Sequence, residues 1–393
     1  MYNDARQAKI NPNFYKTMKI LMFSKALVAG VQQRKLEELA ALPGVEKLTV
    51  VVPPYWDEPR VGRTPLEKKF TSGYELIVTP MRLNGHHHTH FYPGLGRLVK
   101  QHRPDLLHAD DESFNLSTFQ GVRLAERYGA VSVFYNYANI YRNYPPPFSL
   151  FEKYNFKHAA AAMACNQEAF DILRRRGFEK PLDICPQFGV DLAVTHRTEP
   201  PAGFRQPGTF TIGYFGRLVA EKGLDTLVEA CARLTGDWRL VFIGKGAAQP
   251  ELEAQVERLK LTGRVTFLPM VPSTQVAAYM SGLDVFVLPS RTTGNWKEQF
   301  GRVLIEAMAC EVPVIGSDSG EIPHVIGDAG LVFPEGNAES LAGHLQALAD
   351  SQGLRSLLAA KGLERVTQNY TQLQIARQHL KLYRKALNPA ENN

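Results

Sequence analysis

At 393 residues, with 44% hydrophobic and 21% charged side chains, the chain is long enough for two globular domains with sizeable cores. No window approaches 18 uninterrupted apolar residues, which argues against a transmembrane helix, and the polar start Met1–Lys9 lacks the apolar run of a secretory signal, so a cytoplasmic protein is expected. The 45 Lys and Arg against 39 Asp and Glu leave a net charge of +6, but no interleaved basic and aromatic run points to nucleic acid.

The chain opens a series of short apolar runs of strand type at Met18–Phe23, Leu48–Val52, Glu75–Thr79, Asp105–His108, Val131–Tyr135 and Ala161–Ala164. Helical stretches separate them, as from Gln33 to Leu42, where Leu36, Leu39 and Ala40 share a face. Nearly continuous apolar strands between helices predict a parallel sheet covered on both faces. Within this half lie basic clusters at Arg60 to Lys69 and at Arg97 to Arg103, and a third stands at Arg174–Arg176; solvated helix faces are their ordinary role. His86, His87, His88 and His90 crowd one stretch without a carboxylate or cysteine close in sequence, and it reads as an exposed loop rather than a metal site. His108 and Asp110 follow a strand end, where functional groups collect in open α/β sheets, and Asn136 and Tyr137 open a segment rich in tyrosines and amides; all four are acceptor-side candidates.

Three prolines and two glycines between Glu199 and Gly208 read as a linker. Beyond it a second series runs through Thr209–Phe215, Leu240–Ile243, Val265–Leu268, Val285–Leu288 and Pro313–Ile315. The expected fold is α/β, with two facing doubly wound parallel-sheet domains of Rossmann type and a ligand cleft outside the carboxyl ends of their strands. The expected limits are 1–205 and 206–370, with 371–393 a C-terminal helix and tail packing back on the first domain. The four cysteines, Cys165, Cys185, Cys231 and Cys310, form no Cys-x-x-Cys pair and read as reduced thiols.

Two stretches carry chemistry. The segment from Pro289 to Cys310 follows a strand and opens a helix whose core face is Val303, Leu304, Ala307 and Met308. Backbone N–H groups near Phe300, Gly301 and Arg302 then offer a site for phosphate or sugar oxygens. Glu298 lies in the loop and Glu306 eight residues on, two turns down the helix, a span of roughly 10–12 Å. That distance suits a hexose at one end and a ribose at the other, since a carboxylate accepts from two neighbouring hydroxyls at once. The second stretch, Gly213–Gly223, ends a strand in a glycine turn and sets Arg217 and Lys222 five residues apart before a helix. Two fixed cations there can balance a diphosphate leaving group without a metal.

The Gly-Arg-Leu turn at 216–218 with Glu221-Lys222-Gly223, and the Glu298–Glu306 pair 81 residues after Arg217, resemble the family-4 retaining glycosyltransferases of the GT-B fold, the glycosyl transferases group 1. The flanking runs Leu283–Ser290 and Pro313–Gly320 agree, and the likeness is strong over 209–335 and weaker over 18–190. The resemblance implies that Gly216, Arg217 and Lys222 bind the donor diphosphate, Glu306 the ribose, and Glu298 the sugar, with support from the Phe300 and Gly301 amides. It places the base near Gly244 and Met270 and brings a glycine turn at Gly30 to the diphosphate, with one glycine of the usual pair present. It implies a UDP- or GDP-sugar donor, a carbohydrate or lipid-linked acceptor, retention at the anomeric carbon and neither cofactor nor metal, in polysaccharide or glycolipid synthesis; the basic clusters at Arg60 to Lys69 and Arg97 to Arg103 add an expected weak peripheral membrane contact. Asn136 stands where many members carry histidine, Glu311 where a helix-ending glycine is common, and Glu321 replaces another glycine. A nucleotide-sugar 2-epimerase and a non-catalytic sugar-nucleotide-binding protein are the rival readings.

Overall fold

A computed structural model describes residues 17–58 and 62–388, so the segment Met1–Lys9 and the cationic Arg60 lie outside the described residues. The chain divides into two compact units. One comprises Met1–Tyr135, Tyr144–Ala162 and His379–Asn393, the other Asn136–Asn143 and Met163–Gln378. The proline- and glycine-rich segment from Glu199 to Gly208 falls inside the second unit, just before its first long strand.

The first series of strands comprises β1 (Met18–Phe23), β2 (Val45–Val52), β3 (Tyr55–Glu58), β4 (Gly62–Pro65), β5 (Glu75–Val78), β6 (Leu106–Ala109), β7 (Val131–Asn136), β8 (Ala161–Ala164) and β9 (Leu182–Ile184). Seven of them form one sheet in the order β5-β2-β1-β6-β7-β8-β9, and β3 and β4 pair separately as an antiparallel hairpin. Strand β1 runs parallel to β2 and β6, as do β5 with β2 and β7 with β6. The helices between are α1 (Arg34–Ala41), α2 (Leu95–His102), α3 (Leu116–Tyr128), α4 (Phe148–His158) and α5 (Gln167–Arg175). Leu36 and Leu39 of α1, together with Lys35, are buried, as are Leu95, Leu98 and Val99 of α2, which leaves Arg97 and Lys100 of α2 outward.

The second series is β10 (Phe210–Phe215), β11 (Trp238–Ile243), β12 (Val265–Leu268), β13 (Val285–Leu288), β14 (Val314–Ser317) and β15 (Leu331–Phe333). Its helices are α6 (Leu224–Cys231), α7 (Gln249–Arg258), α8 (Val276–Ser281), α9 (Arg302–Ala309), α10 (Ile322–Ile326), α11 (Ala338–Asp350) and α12 (Gln352–Asn369), and α13 (Gln372–Leu387) closes the chain. The sheet is parallel throughout, in the order β12-β11-β10-β13-β14-β15. Every residue of β10, β13 and β14 is buried, as a strand covered by helices on both faces requires. The order grows outward from β10 on one side and β13 on the other. A crevice therefore opens at their carboxyl ends, where ligands bind in open α/β sheets.

The structure adds elements that the apolar runs do not signal: the β3–β4 hairpin and the short strands β9 and β15. It corrects the helix after Gly301, whose buried face is Leu304, Ile305, Ala307 and Met308, with Val303 only half-buried. That helix begins at Arg302, so Glu306 is its fifth residue and lies little more than one turn down, not two. Glu311 does take the left-handed backbone, with φ 57°, that a helix-ending glycine would adopt without strain. Glu321, by contrast, has φ −82°; the neighbouring Gly320 carries the positive φ of 55°.

Candidate active site

The crevice in the second unit is built by two loops that glycine allows to touch. Gly223 (φ 62°) ends the loop after β10, and a Cβ there would stand 2.1 Å from the Pro289 carbonyl oxygen that begins the loop after β13. The Arg291 N–H donates to the Glu221 carbonyl at 2.8 Å and ties the same two loops together. Behind them Gly244 (φ 150°) packs on Gly216, whose carbonyl oxygen would be 1.9 Å from an added Cβ, so the turns after β10 and β11 meet backbone to backbone.

This clamp brings Lys222 and Glu298 together. The Lys222 Nζ donates to Glu298 Oε2 at 2.5 Å, and Ser290 Oγ donates to the same oxygen at 3.0 Å. Both side chains are largely withdrawn from water, at 14% and 12% exposure, where an ion pair is screened less than at the surface. The Glu298 carbonyl oxygen accepts from the Glu321 N–H at 3.1 Å. A Cβ on Gly320 would lie 2.1 Å from that oxygen, which explains why glycine stands at 320. Carboxylate and carbonyl of Glu298 are thus held independently.

Gly301 (φ 78°, ψ 51°) turns the chain into α9 and has no side chain to cap the first N–H groups. Phe300 is buried and packs edge-on against Tyr370, ring centroids 5.7 Å apart, which anchors the entry to the helix. On α9 the Glu306 carboxylate meets Arg302 Nε at 3.1 Å. Burial raises the Glu306 pKa above the ordinary carboxylate value, and Arg302 opposes this in part. Arg217 differs from its partners: its side chain is 64% exposed and reaches Glu221 only at 3.9 Å. Met270 is likewise exposed, beyond the end of β12.

The remaining candidates separate. Tyr137 belongs to the second unit, where its carbonyl oxygen accepts from Gln299 Nε2 at 3.1 Å, one residue from Glu298. Asn136 is buried, and its Nδ2 has no hydrogen-bond partner among the described residues. Gly30, His108 and Asp110 lie in the first unit. A Cβ on Gly30 would stand 2.8 Å from Lys69 Cβ, and the Gly30 N–H donates to Glu67 Oε2 at 3.1 Å. His108 is fully buried, with Nδ1 2.6 Å from the Tyr383 hydroxyl, and burial lowers its pKa to about 4. Asp110 accepts from Ser24 Oγ at 2.5 Å. His108 and Asp110 are thus both buried and held by neighbouring side chains.

In the histidine stretch His86, His87 and His88 are exposed as expected, whereas His90 is buried and sits 2.8 Å from Asp111 Oδ2. Burial alone would raise the Asp111 pKa, but Lys25 and His90 outweigh it and hold the carboxyl well below the usual range. Carboxylates distant in sequence, Asp111 and Glu58, thus face His90 and His87. Among the described residues no three or more His, Cys, Asp or Glu side chains converge on a metal site. Ser290, Trp296 and Glu321 are further parts of the site that no motif in the sequence signals.

Residues 197–371 match the family model described as glycosyl transferases group 1. This segment belongs to that family. Among relatives of this chain, WcaL of Salmonella typhimurium, a glycosyltransferase named for colanic acid biosynthesis, is 31% identical over 201 residues, 49% of this chain and 48% of WcaL. The lipopolysaccharide core biosynthesis mannosyltransferase LpcC of Rhizobium leguminosarum bv. viciae is 33% identical over 39% of this chain and 46% of its own. The chain thus spans about half the length of the curated relatives it matches. Among solved structures, Anabaena Alr3699/HepE in complex with UDP superposes with a TM-score of 0.71 at 18% identity, covering 94% of this chain and 100% of that one. That likeness establishes the GT-B fold.

Proposed function

We propose that the protein transfers a sugar from a nucleoside diphosphate donor to a carbohydrate or lipid-linked acceptor, with retention at the anomeric carbon, in the synthesis of a cell-surface polysaccharide or glycolipid. The observation that carries this reading is the Lys222–Glu298 pair beside the N-terminus of α9, at the strand ends where β10 and β13 diverge. The WcaL and LpcC likenesses support the polysaccharide setting, and the UDP bound in HepE supports the donor class.

In this reading the chemical demand is to stabilise the diphosphate as the glycosidic bond to the donor breaks and the sugar becomes oxocarbenium-like. Lys222 and Arg217 supply positive charge, and the N–H groups of Phe300, Gly301 and Arg302 supply donors. Glu298 accepts from sugar hydroxyls and Glu306 from the ribose hydroxyls. The acceptor hydroxyl attacks from the leaving-group side, and its proton passes to the departing phosphate, so the balance needs no side-chain nucleophile. A donor between Glu298 and Glu306 would compete with the cations that now hold them, Lys222 and Arg302.

The test is a screen of UDP- and GDP-sugars for release of the nucleoside diphosphate, run with EDTA present and with oligosaccharide or lipid-linked acceptors. Turnover in EDTA that depends on acceptor is expected. Interconversion of the donor without acceptor would replace this reading by epimerisation, and activity abolished by EDTA and restored by Mg²⁺ would overturn the assignment of the diphosphate charge to Arg217 and Lys222.

A further inference from the structure

Between Ser290 and Lys297 the chain makes a short excursion, Arg291-Thr292-Thr293-Gly294-Asn295-Trp296, before it reaches Glu298. The excursion is fixed at its base and at its tip. Arg291 reaches Asp225 Oδ2 at 2.7 Å and also bonds Thr226, while the Thr292 hydroxyl meets Ser319 Oγ at 3.0 Å. At the tip the Thr293 N–H donates to the Trp296 carbonyl at 2.7 Å and closes a tight turn. Directly after it, Lys297 forms an ion pair with Glu168. Trp296 is thereby presented from a braced turn.

Its half-buried ring lies over Lys222, with Nζ 4.9 Å from the ring centroid, inside the range in which an ammonium is attracted to an aromatic face. The same Nζ is 2.5 Å from Glu298 Oε2. An ammonium has three donors on a flexible four-carbon stem, so one contact alone leaves it free to swing. Two contacts fix it: the carboxylate takes one N–H, the ring takes another direction, and the third remains for a ligand oxygen.

We propose that Trp296 is a positioning residue for the donor diphosphate, holding the Lys222 ammonium against Glu298 so that its remaining N–H meets the phosphate nearest the transferred sugar. The inference rests on the nucleotide-sugar reading above. Lys222 is tied to Glu298, the sugar-end carboxylate, so its charge acts on the β-phosphate and not on the phosphate attached to the ribose. Trp296 then matters for nucleoside diphosphates and little for monophosphates.

The experiment is calorimetric titration of the full chain with UDP, GDP, UMP and GMP, for wild type, Trp296→Leu and Trp296→Phe, with thermal melts to confirm folding. Trp296→Leu should weaken binding of the diphosphate by about 3- to 30-fold, the range of one partly desolvated cation–π contact, and leave monophosphate binding unchanged. Trp296→Phe, which keeps an aromatic face, should recover most of the loss. Trp56 and Trp238 are buried, so the change in tryptophan fluorescence on adding diphosphate should vanish in Trp296→Phe. Wild-type diphosphate affinity in Trp296→Leu, or an equal loss for mono- and diphosphates, overturns the role of Trp296 and leaves the nucleotide-sugar reading intact. Failure of all four nucleotides to bind the wild type overturns that reading and this inference with it.

Discussion

Glu306 illustrates a conflict between stability and binding in one side chain. Its carboxylate is largely buried on α9 beside Arg302, and burial raises its pKa. For a carboxyl group a raised folded-state pKa means that the folded protein binds the proton more tightly than the unfolded chain does. The ionised form therefore costs stability at neutral pH, and the cost is relieved as pH falls through the raised value. Glu306→Gln, which keeps the shape and an acceptor for Arg302, should raise Tm at pH 7, where 1 kcal/mol is worth about 2–4 °C in a domain of 150–250 residues. The same residue is proposed to accept from the ribose, so Glu306→Ala should weaken nucleotide binding by about 1–3 kcal/mol. Titrations with UDP and GDP check this, and unchanged affinity for the one that binds would remove the ribose role. Wild-type nucleotide affinity should also begin to fall, on acidification, above the usual carboxylate range. The charged groups Arg217, Lys222, Glu298 and Glu306 could be picked out in the sequence because they sit in two short stretches with a recognisable order. Their partners Ser290, Trp296 and Glu321 could not, because the contacts depend on how Gly223 and Gly320 let backbones approach.

At the scale of elements, the end of α13 from His379 onward belongs to the first unit and is held within it by polar contacts. Tyr383 on α13 meets His108 on β6, and Arg384 donates to the Pro43 carbonyl at 2.7 Å. Burial lowers the His108 pKa from 6.5 to about 4, so the fold keeps this imidazole neutral while the unfolded chain charges it. The unfolded state then binds more protons below pH 6.5, and the stability present above that pH is lost progressively down to about pH 4. Between pH 7 and pH 5 this one group should remove roughly 2 kcal/mol, one pKa unit being worth about 1.4 kcal/mol. Urea unfolding at the two pH values should show the loss, and His108→Gln should flatten the dependence; an equally steep profile in the variant would exclude His108 as its source. The buried stretches of β2 (Leu48–Val52) and β13 were legible as continuous apolar runs. Strands β9 and β15 were not, because three residues carry too little pattern, and the β3–β4 hairpin was hidden by polar residues such as Asp57, Glu58 and Arg63.

Across the whole molecule the two sheets share one plan and use it differently. Each has a strand order that diverges from a central pair, β1 with β6 and β10 with β13. At the first pair the strand ends are filled by the protein's own groups, Ser24 with Asp110 and Lys25 with Asp111. At the second, Arg217 stays exposed beside the glycine turns. Alternation of strands and helices made this architecture readable in advance, whereas burial of His108 and Asp110 was not, since a strand end looks alike in sequence whether it meets a ligand or packs. Among the described residues no helix is long and apolar enough to cross a membrane, and peripheral contact with a lipid-linked acceptor is proposed on other grounds. The first unit presents a surface for it on α2, where Leu95, Leu98 and Val99 face inward and Arg97, Lys100 and Arg103 are exposed. Basic residues near an anionic surface gain about 1 kcal/mol each, and salt screens the attraction. The protein should therefore sediment with vesicles containing phosphatidylglycerol at low salt and release at high salt. Replacing Arg97, Lys100 and Arg103 together by glutamine should abolish most of that binding and leave UDP or GDP affinity unchanged, because the groups proposed to bind the nucleotide, Arg217, Lys222 and Glu306, lie in the second unit. Equal partition to neutral and anionic vesicles, or none to either, would instead favour a soluble acceptor.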